Sequence, residues 1–380
     1  MRTWYRVIMA LLALLMMGNA YSEGYTTTKA GKAMGLRSVR IRAVGDLMNH
    51  QKQLDIALSD GKYDFHDQYA LIKGSLADAD YTIANLETTI GRYKDRDYSG
   101  YPRFNAPESL LQTIKDAGVD FLTLANNHIL DRFGEGMVAT VNWVDKYGFD
   151  HGGANRTKKE KNKPIVVNVN GVKIGFLCYT RGTNDMEEKC SPKVVEYGVN
   201  YLKQADFAQD VAALRKAGAE VIIALPHWGK EYQREPGSSA KSTAKKLVAA
   251  GVDVVLGSHP HVVQPIEYIT VKDKKGKTRV GLVAYSLGNF ISNMTDPHTD
   301  SGIILDFTLQ EQEGGGFLAL DVGVVPLYCW NREDMIQTIS STRYDLKPPQ
   351  GMTEEEHRHM RATLLELRAL LDQRIPFLLE

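Results

Sequence analysis

A mixed α/β fold, with two packed sheets and helices outside them, is predicted by two patterns in this 380-residue chain. Short β-rich apolar runs alternate with polar turns and helix-length segments, which is the signature of strands with crossover helices. Farther along, pairs of such runs flank short turns, so part of the sheet structure is antiparallel. An apolar content of 43% supports a substantial core and excludes a disordered or collagen-like chain.

The first kind of run is VRIRAV at 39–44, followed by YTIA at 81–84, VDFLTLA at 119–125, VIIAL at 221–225 and VDVVLG at 252–257. Between them, residues 107–117, 136–147, 206–217 and 240–250 carry apolar side chains at helical spacing. Gly118, Gly148, Gly218 and Gly251 stand at the ends of these stretches, where a left-handed cap costs glycine least. The hairpin signal is strongest at Asn170-Gly171, a pair suited to the positive φ angles of a type I′ turn between 164–169 and 172–179. Residues 264–271 with 278–285, and 302–309 with 316–325, form two further pairs. The runs KKEK (158–161) and KDKKGK (272–277) read as solvated loop tips. From Thr353 a capping box opens a closing amphipathic helix through LLELRALL. His357 and His359, two apart, fall on different faces of that helix and are not a metal pair.

Lys plus Arg and Asp plus Glu both number 46, so the chain lacks the basic excess of a general nucleic-acid binder, and no nucleic-acid partner is expected. The segment Val7 to Met17 follows Arg2 and Arg6 and precedes small residues, the layout of a secretory signal over residues 1–22. Cleaved, or retained as an anchor, it directs the body of the protein to a periplasmic or extracellular, or membrane-associated, location. Cys178, Cys190 and Cys329 are too few for a disulfide scaffold. Cys178 and Cys190 are the nearest pair, but Cys178 lies in the apolar run IGFLCY, where a free buried thiol is the ordinary outcome. The organisation expected is thus a signal at 1–22, a main domain over 36–330 and a C-terminal extension over 331–380.

Metal-binding side chains come just after five of the predicted strands: Asp46, Glu87, Asn127, His227, and His259 with His261. Ligands collect outside the carboxyl ends of strands in α/β sheets, so these turns are expected to converge on one crevice. Taken singly, each has an ordinary reading: Asp46 as a helix N-cap, Asn127 in a left-handed turn, His227 as a packed histidine beside Trp228. Together, two carboxylates, an amide and imidazoles form a mixed oxygen and nitrogen set suited to one or two divalent ions of Mn, Zn or Fe. His128, next to Asn127, is then the candidate general acid. Glu231, Asn289 and Arg181 are candidates for substrate binding or for orienting the ligands. Ser286 lacks a GxSxG elbow and is not proposed as a nucleophile.

The motifs VGDLM, ANLET, TLANNHILD, LPHWGKEY, GSHPHVVQP and YSLGNFI, in this order across about residues 39–292, resemble the CapA family of poly-γ-glutamate capsule synthesis proteins. The domain of that family is similar to calcineurin-like metallophosphoesterases. The resemblance implies a four-layer sandwich of two sheets flanked by helices, and a role in making or exporting an anionic γ-linked glutamate polymer alongside membrane-bound capsule synthesis proteins. It also implies that Asp46 matches the first metal aspartate, Asn127 and His128 the Asn-His pair, His227 the isolated histidine, and His259 and His261 the His-X-His pair. Glu87 stands approximately where a bridging aspartate is expected. Position 48 is Met where the phosphoesterase Asp-X-His pattern has histidine, and His50 does not simply replace it. Three functions are consistent with this reading: a metal-dependent hydrolase-like site in capsule synthesis, an extracytoplasmic metallophosphoesterase, and a polymer-binding export component without turnover.

Overall fold

A computed structural model describes residues 35–91, 98–372 and 374–379. The secretory segment expected at 1–22 lies outside the described residues. Among the described residues, no helix is long and apolar enough to cross a membrane.

The strands, in chain order, begin with β1 (Ser38–Leu47), the ribbon β2 (Leu58–Ser59) and β3 (Lys62–Tyr63), then β4 (Tyr81–Leu86). A second ribbon, β5 (Thr89–Ile90) and β6 (Asn105–Ala106), precedes β7 (Phe121–Thr123) and β8 (Asp150–Gly152). The middle of the chain forms β9 (Ile165–Val169), β10 (Val172–Thr180), β11 (Val221–His227), β12 (Val254–Leu256), β13 (Ile266–Lys272) and β14 (Thr278–Ala284). The last strands are β15 (Asn289–Ile291), β16 (Ser301–Glu311), β17 (Phe317–Arg332) and β18 (Met335–Ser340).

They build two large sheets. One has the order β18-β17-β16-β1-β4-β7-β8, with β15 also paired to β1; the other has the order β13-β14-β12-β11-β10-β9. The central pairs β1/β4, β4/β7, β10/β11 and β11/β12 are parallel, whereas β9/β10, β13/β14 and β16/β17 are the expected hairpins. Asn170 and Gly171 both take positive φ, as the type I′ turn requires. The first sheet continues beyond residue 330 through β17 and β18.

Side-chain alternation along the strands explains the layers. Ile41, Ile83 and Phe121 of the first sheet meet Phe176, Ile223 and Leu256 of the second in one buried cluster, and Phe121 stacks on Phe176 with centroids 4.1 Å apart. The other face of the first sheet, with Leu86 and Leu122, packs against Leu111 and Ile114 of helix Ser109–Asp116 and Val141 and Val144 of helix Phe133–Lys146. On the outer face of the second sheet, Ile222 and Val255 meet Leu214 of helix Phe207–Lys216 and Leu247 and Val248 of helix Ser238–Ala250. Helix, sheet, sheet, helix is the four-layer sandwich expected.

Local expectations held with small shifts. Asp206 caps helix Phe207–Lys216 by accepting from the N–H groups of Ala208 and Gln209. Thr353 and Glu356 form the reciprocal capping box of the closing helix Glu354–Leu370, which buries Met360, Leu364 and Leu367. His357 and His359 face separate partners, the Tyr344 carbonyl and Asp300. KKEK forms one short helical turn with no buried residue. All three cysteines are free, and Cys178 and Cys329 are buried.

Candidate metal centre

Asp46, Asn85, Glu87, Asn127, His227, His259 and His261 come together at the carboxyl ends of β1, β4, β7, β11 and β12, each at most 6% exposed. Alternation places three of them. In β11 the residues facing between the sheets are Val221, Ile223 and Leu225, so His227 continues that face. In β4, Tyr81 and Ile83 face inward, and Asn85 and then Glu87 come next on that face.

Asp46 reaches the same face by a different route. Ala43 pairs with Ile83, but Asp46 pairs with Asn85, so three steps along β1 match two along β4. The extra residue is a β-bulge, which reverses the facing of the residues after it. Without it, Asp46 would share the outer face with Val44. Gly45 lies in the bulge because no larger residue fits: an added Cβ would fall on the Gly288 carbonyl. The Asp46 N–H donates to that carbonyl at 3.0 Å.

Two buried carboxylates are held side by side by one neutral donor. Asn85 Nδ2 donates to Asp46 Oδ1 at 2.8 Å and to Glu87 Oε2 at 3.1 Å. Asp46 Oδ2 lies 3.1 Å from His261 Nδ1, which also approaches Asn289 Oδ1 at 3.0 Å. Both neighbours are acceptors, so Nδ1 carries the proton and Nε2 is left toward Glu87 Oε1, 3.7 Å away. His227 Nε2 faces Asn127 Oδ1 at 2.7 Å and Glu87 Oε1 at 3.5 Å, while its Nδ1 meets Ser258 Oγ at 2.9 Å. His259 and His261 both have positive φ, +97° and +58°. Non-glycine residues take that conformation where the surroundings over-determine it, as at ligand clamps.

The electrostatics of this cluster favour a cation. Burial, and then the charge of Asp46, push the Glu87 carboxyl well above its ordinary range. Burial and neighbouring imidazoles hold His227 well below its usual value and His259 down to about 3, so both are neutral bases. At His261 burial is the largest single influence and opposes charging, but the hydrogen bond to Asp46, the charge of Asp46, the hydrogen bond to Asn289 and the charge of Glu231 together outweigh it and raise the pKa.

The donor set fits a divalent ion. Glu87 Oε1 and His259 Nδ1 are buried with no hydrogen-bond partner among the described residues. Ligand atoms of Glu87, His259 and His261, and of Asp46, Glu87 and His227, lie within 4.8 Å of one another. A buried oxygen or ring nitrogen whose lone pair has no partner is costly in an apolar protein interior and is compensated when it coordinates a metal.

His128 stands beside this cluster. Its Nδ1 meets Asp131 Oδ2 at 2.8 Å, and that oxygen also accepts the Phe104 N–H at 2.7 Å. The Phe104 ring packs edge-on to His128, with centroids 4.6 Å apart. The roles of Asp131 and Asn85 were not assigned from the sequence. The pointer to Asp131 was its place in TLANNHILD, three residues after a histidine; the pointer to Asn85 was its shared alternation with Glu87.

The remaining candidates lie around the cluster. Asn289 is buried, and its Oδ1 takes the His261 ring N–H. Glu231 is exposed on the rim; its charge acts on Glu87 and His261, and it makes no hydrogen bond to the His227 ring among the described residues. Arg181 is exposed, with its backbone N–H donating to the His227 carbonyl at 3.0 Å and its side chain donating to the Gly229 carbonyl. Met48 is buried beside Asp46, and His50 Nδ1 instead accepts the Asn293 N–H at 3.2 Å.

Comparison with known proteins matches residues 40–294 to the family described as Bacterial capsule synthesis protein PGA_cap. The chain is 25% identical over 327 residues to "Capsule biosynthesis protein CapA" of Bacillus anthracis, covering 84% of this chain and 75% of that protein. It is 27% identical over 249 residues to "PGA biosynthesis protein CapA" of Bacillus subtilis (strain 168), covering 63% of this chain and 60% of that relative. Among solved structures, the calcineurin-like phosphoesterase YfkN from Bacillus subtilis aligns at 17% identity with a TM-score of 0.45, covering 88% of this chain and 99% of that one. The matched span runs from the first core strand to just past Asn289 and so takes in every residue of the cluster: this chain belongs to the bacterial capsule synthesis PGA_cap family.

Proposed function

We propose that this chain is an exported component of poly-γ-glutamate capsule synthesis whose buried carboxylate and imidazole cluster holds one or two divalent ions of manganese, zinc or iron. Family membership supports the capsule role, and the relatives named for capsule and PGA biosynthesis support the polymer. The single observation that carries the metal is the pair of orphaned buried atoms, Glu87 Oε1 and His259 Nδ1, within reach of the other donors.

Asp46, Glu87, Asn127, His227, His259 and His261 would hold the ion. Once bound, it would lower the pKa of a water and neutralise charge developing on the scissile carbonyl or phosphoryl oxygen. The chain supplies the rest. Asn85 keeps the two carboxylates together, Asn289 fixes the His261 ring, and Asp131 orients His128 so that its Nε2 can deliver a proton to the leaving group. The apolar segment Val7 to Met17 supports export and contact with membrane-bound capsule synthesis proteins.

The test is metal analysis of the purified mature protein beside Asp46→Ala and His259→Ala. Wild type is expected to bind Mn²⁺, Zn²⁺ or Fe²⁺ stoichiometrically, and each variant to bind at least about tenfold more weakly while keeping its circular dichroism spectrum. A folded wild type that takes up none of the three overturns the metal centre. With metal bound, cleavage of a γ-glutamyl oligomer supports the hydrolase reading, and cleavage of a generic phosphodiester alone replaces it with an extracytoplasmic phosphoesterase. Turnover of neither leaves a polymer-binding component.

A further inference from the structure

Beside the cluster, on the rim of the second sheet, runs a groove of about 730 Å³ lined by Arg181, Lys203, Trp228, Lys230, Glu235 and Ser238, among others. Three cations face one carboxylate there, in a chain whose formal net charge is zero. Elsewhere arginines are spent on carboxylates: Arg37 on Glu220 and Glu311, Arg40 and Arg42 on Asp306. Arg181, Lys203 and Lys230 have no carboxylate partner among the described residues. Three cations against one carboxylate leave the groove with an excess of positive charge, which an anion would stabilise.

The groove shares no lining residue with the metal cluster but adjoins the strand end that carries His227, which Trp228 of its lining directly follows. Arg181 directly follows β10, whose Thr180 is in register with His227, and its backbone N–H holds the His227 carbonyl. The bond from its side chain to Gly229 keeps the guanidinium at this end. The floor is rigid, because Trp228 is 3% exposed and its indole N–H is held by the Tyr285 carbonyl at 2.9 Å. On the far side, the first turn of helix Ser238–Ala250 contains no acidic residue. A compact phosphate ester would need only the end nearest the cluster, whereas a chain with a charge on every unit could use the whole length.

Resting on the functional reading above, we propose that this groove is the acidic-chain subsite of the centre. It takes successive free carboxylates of a γ-linked glutamate oligomer as the oligomer leaves the cluster, with Arg181 at the cluster end and Lys203 and Lys230 farther out.

The test is fluorescence anisotropy with a labelled γ-linked glutamate decamer and the Mn²⁺-supplemented full chain. Lys203→Glu/Lys230→Glu and the milder Lys203→Ala/Lys230→Ala alter the groove; Lys274→Glu/Lys275→Glu makes the same charge change on the distant turn after β13. Reversal in the groove is expected to weaken binding about tenfold or more, neutralisation to weaken it less, and the distant change to weaken it less than about twofold. Metal content and thermal unfolding should stay at wild-type values, because every altered residue is exposed. If wild type binds the decamer and the groove variants bind it equally well, the subsite is overturned while the polymer reading stands. If wild type does not bind the decamer, both fall.

Discussion

His128, the candidate general acid, is oriented by a side chain outside the proposed donor set. Asp131 accepts both from the His128 ring and from the Phe104 N–H, so it sets the tautomer and tilt of the ring and the position of the aromatic wall beside it. Asp131→Asn keeps the size of the side chain but loses the charge and one acceptor oxygen. Turnover of whichever substrate the metal-loaded protein cleaves is expected to fall about 10- to 100-fold with metal content unchanged, the range for partners that orient a functional histidine. Parallel metal analysis and kinetics check this; loss of metal in the variant would show that Asp131 supports the cluster itself. Residues such as His227, His259 and His261 were legible because imidazoles after strands are conspicuous. Asp131 was less so, since a carboxylate on a turn is common and only its distance to a ring distinguishes it.

At the level of elements, the bulge in β1 and the turn into β15 do the positioning. Gly45 lies so close to the Gly288 carbonyl that a Cβ there would meet it at 1.8 Å. Gly288 itself has φ +70° and would press a Cβ against the Ser301 carbonyl at 2.7 Å. Gly45→Ala must therefore separate β1 from the turn carrying Asn289, and is expected to destabilise the fold by about 3 kcal/mol or more, at the upper end for overpacking. Urea denaturation of the variant measures this, and a change below about 1 kcal/mol would mean the two segments can part without cost. The strand and helix runs were readable because hydrophobic period and terminal glycines are local. The strand β18 and the far half of β17 were not, because Pro326 and the polar turn Asn331 to Asp334 interrupt the pattern. Pro326 is tolerated at the end of the β18 pairing, where its carbonyl takes the Ser341 N–H.

Across the whole molecule, the two sheets are tied at the end remote from the centre by Arg37. It pairs with Glu311 at the end of β16 and with Glu220 just before β11, and it holds the Glu311 carboxyl down to about 2. Glu220 is lowered by the same guanidinium. A carboxylate with a depressed pKa contributes stability above its unfolded value and loses it as pH falls through the folded one. The difference in melting temperature between wild type and Glu311→Gln is therefore expected to be small, no more than about 2 °C for an exposed pair. It should be constant down to about pH 5.5 and vanish toward pH 2. Thermal unfolding across pH checks this, and a difference that grows on acidification would refute it. Composition, hydrophobic period and ordered motifs alone determined the mixed α/β class, the helical outer layers and the residues available to bind a metal, since each depends on neighbours within a few positions. Only the tertiary structure decided that Asp46 faces the histidines, through a bulge invisible in period and composition, and that Arg181, Lys203 and Lys230 share one groove. Those depend on register and on distances between strands far apart in the chain, which local sequence does not encode.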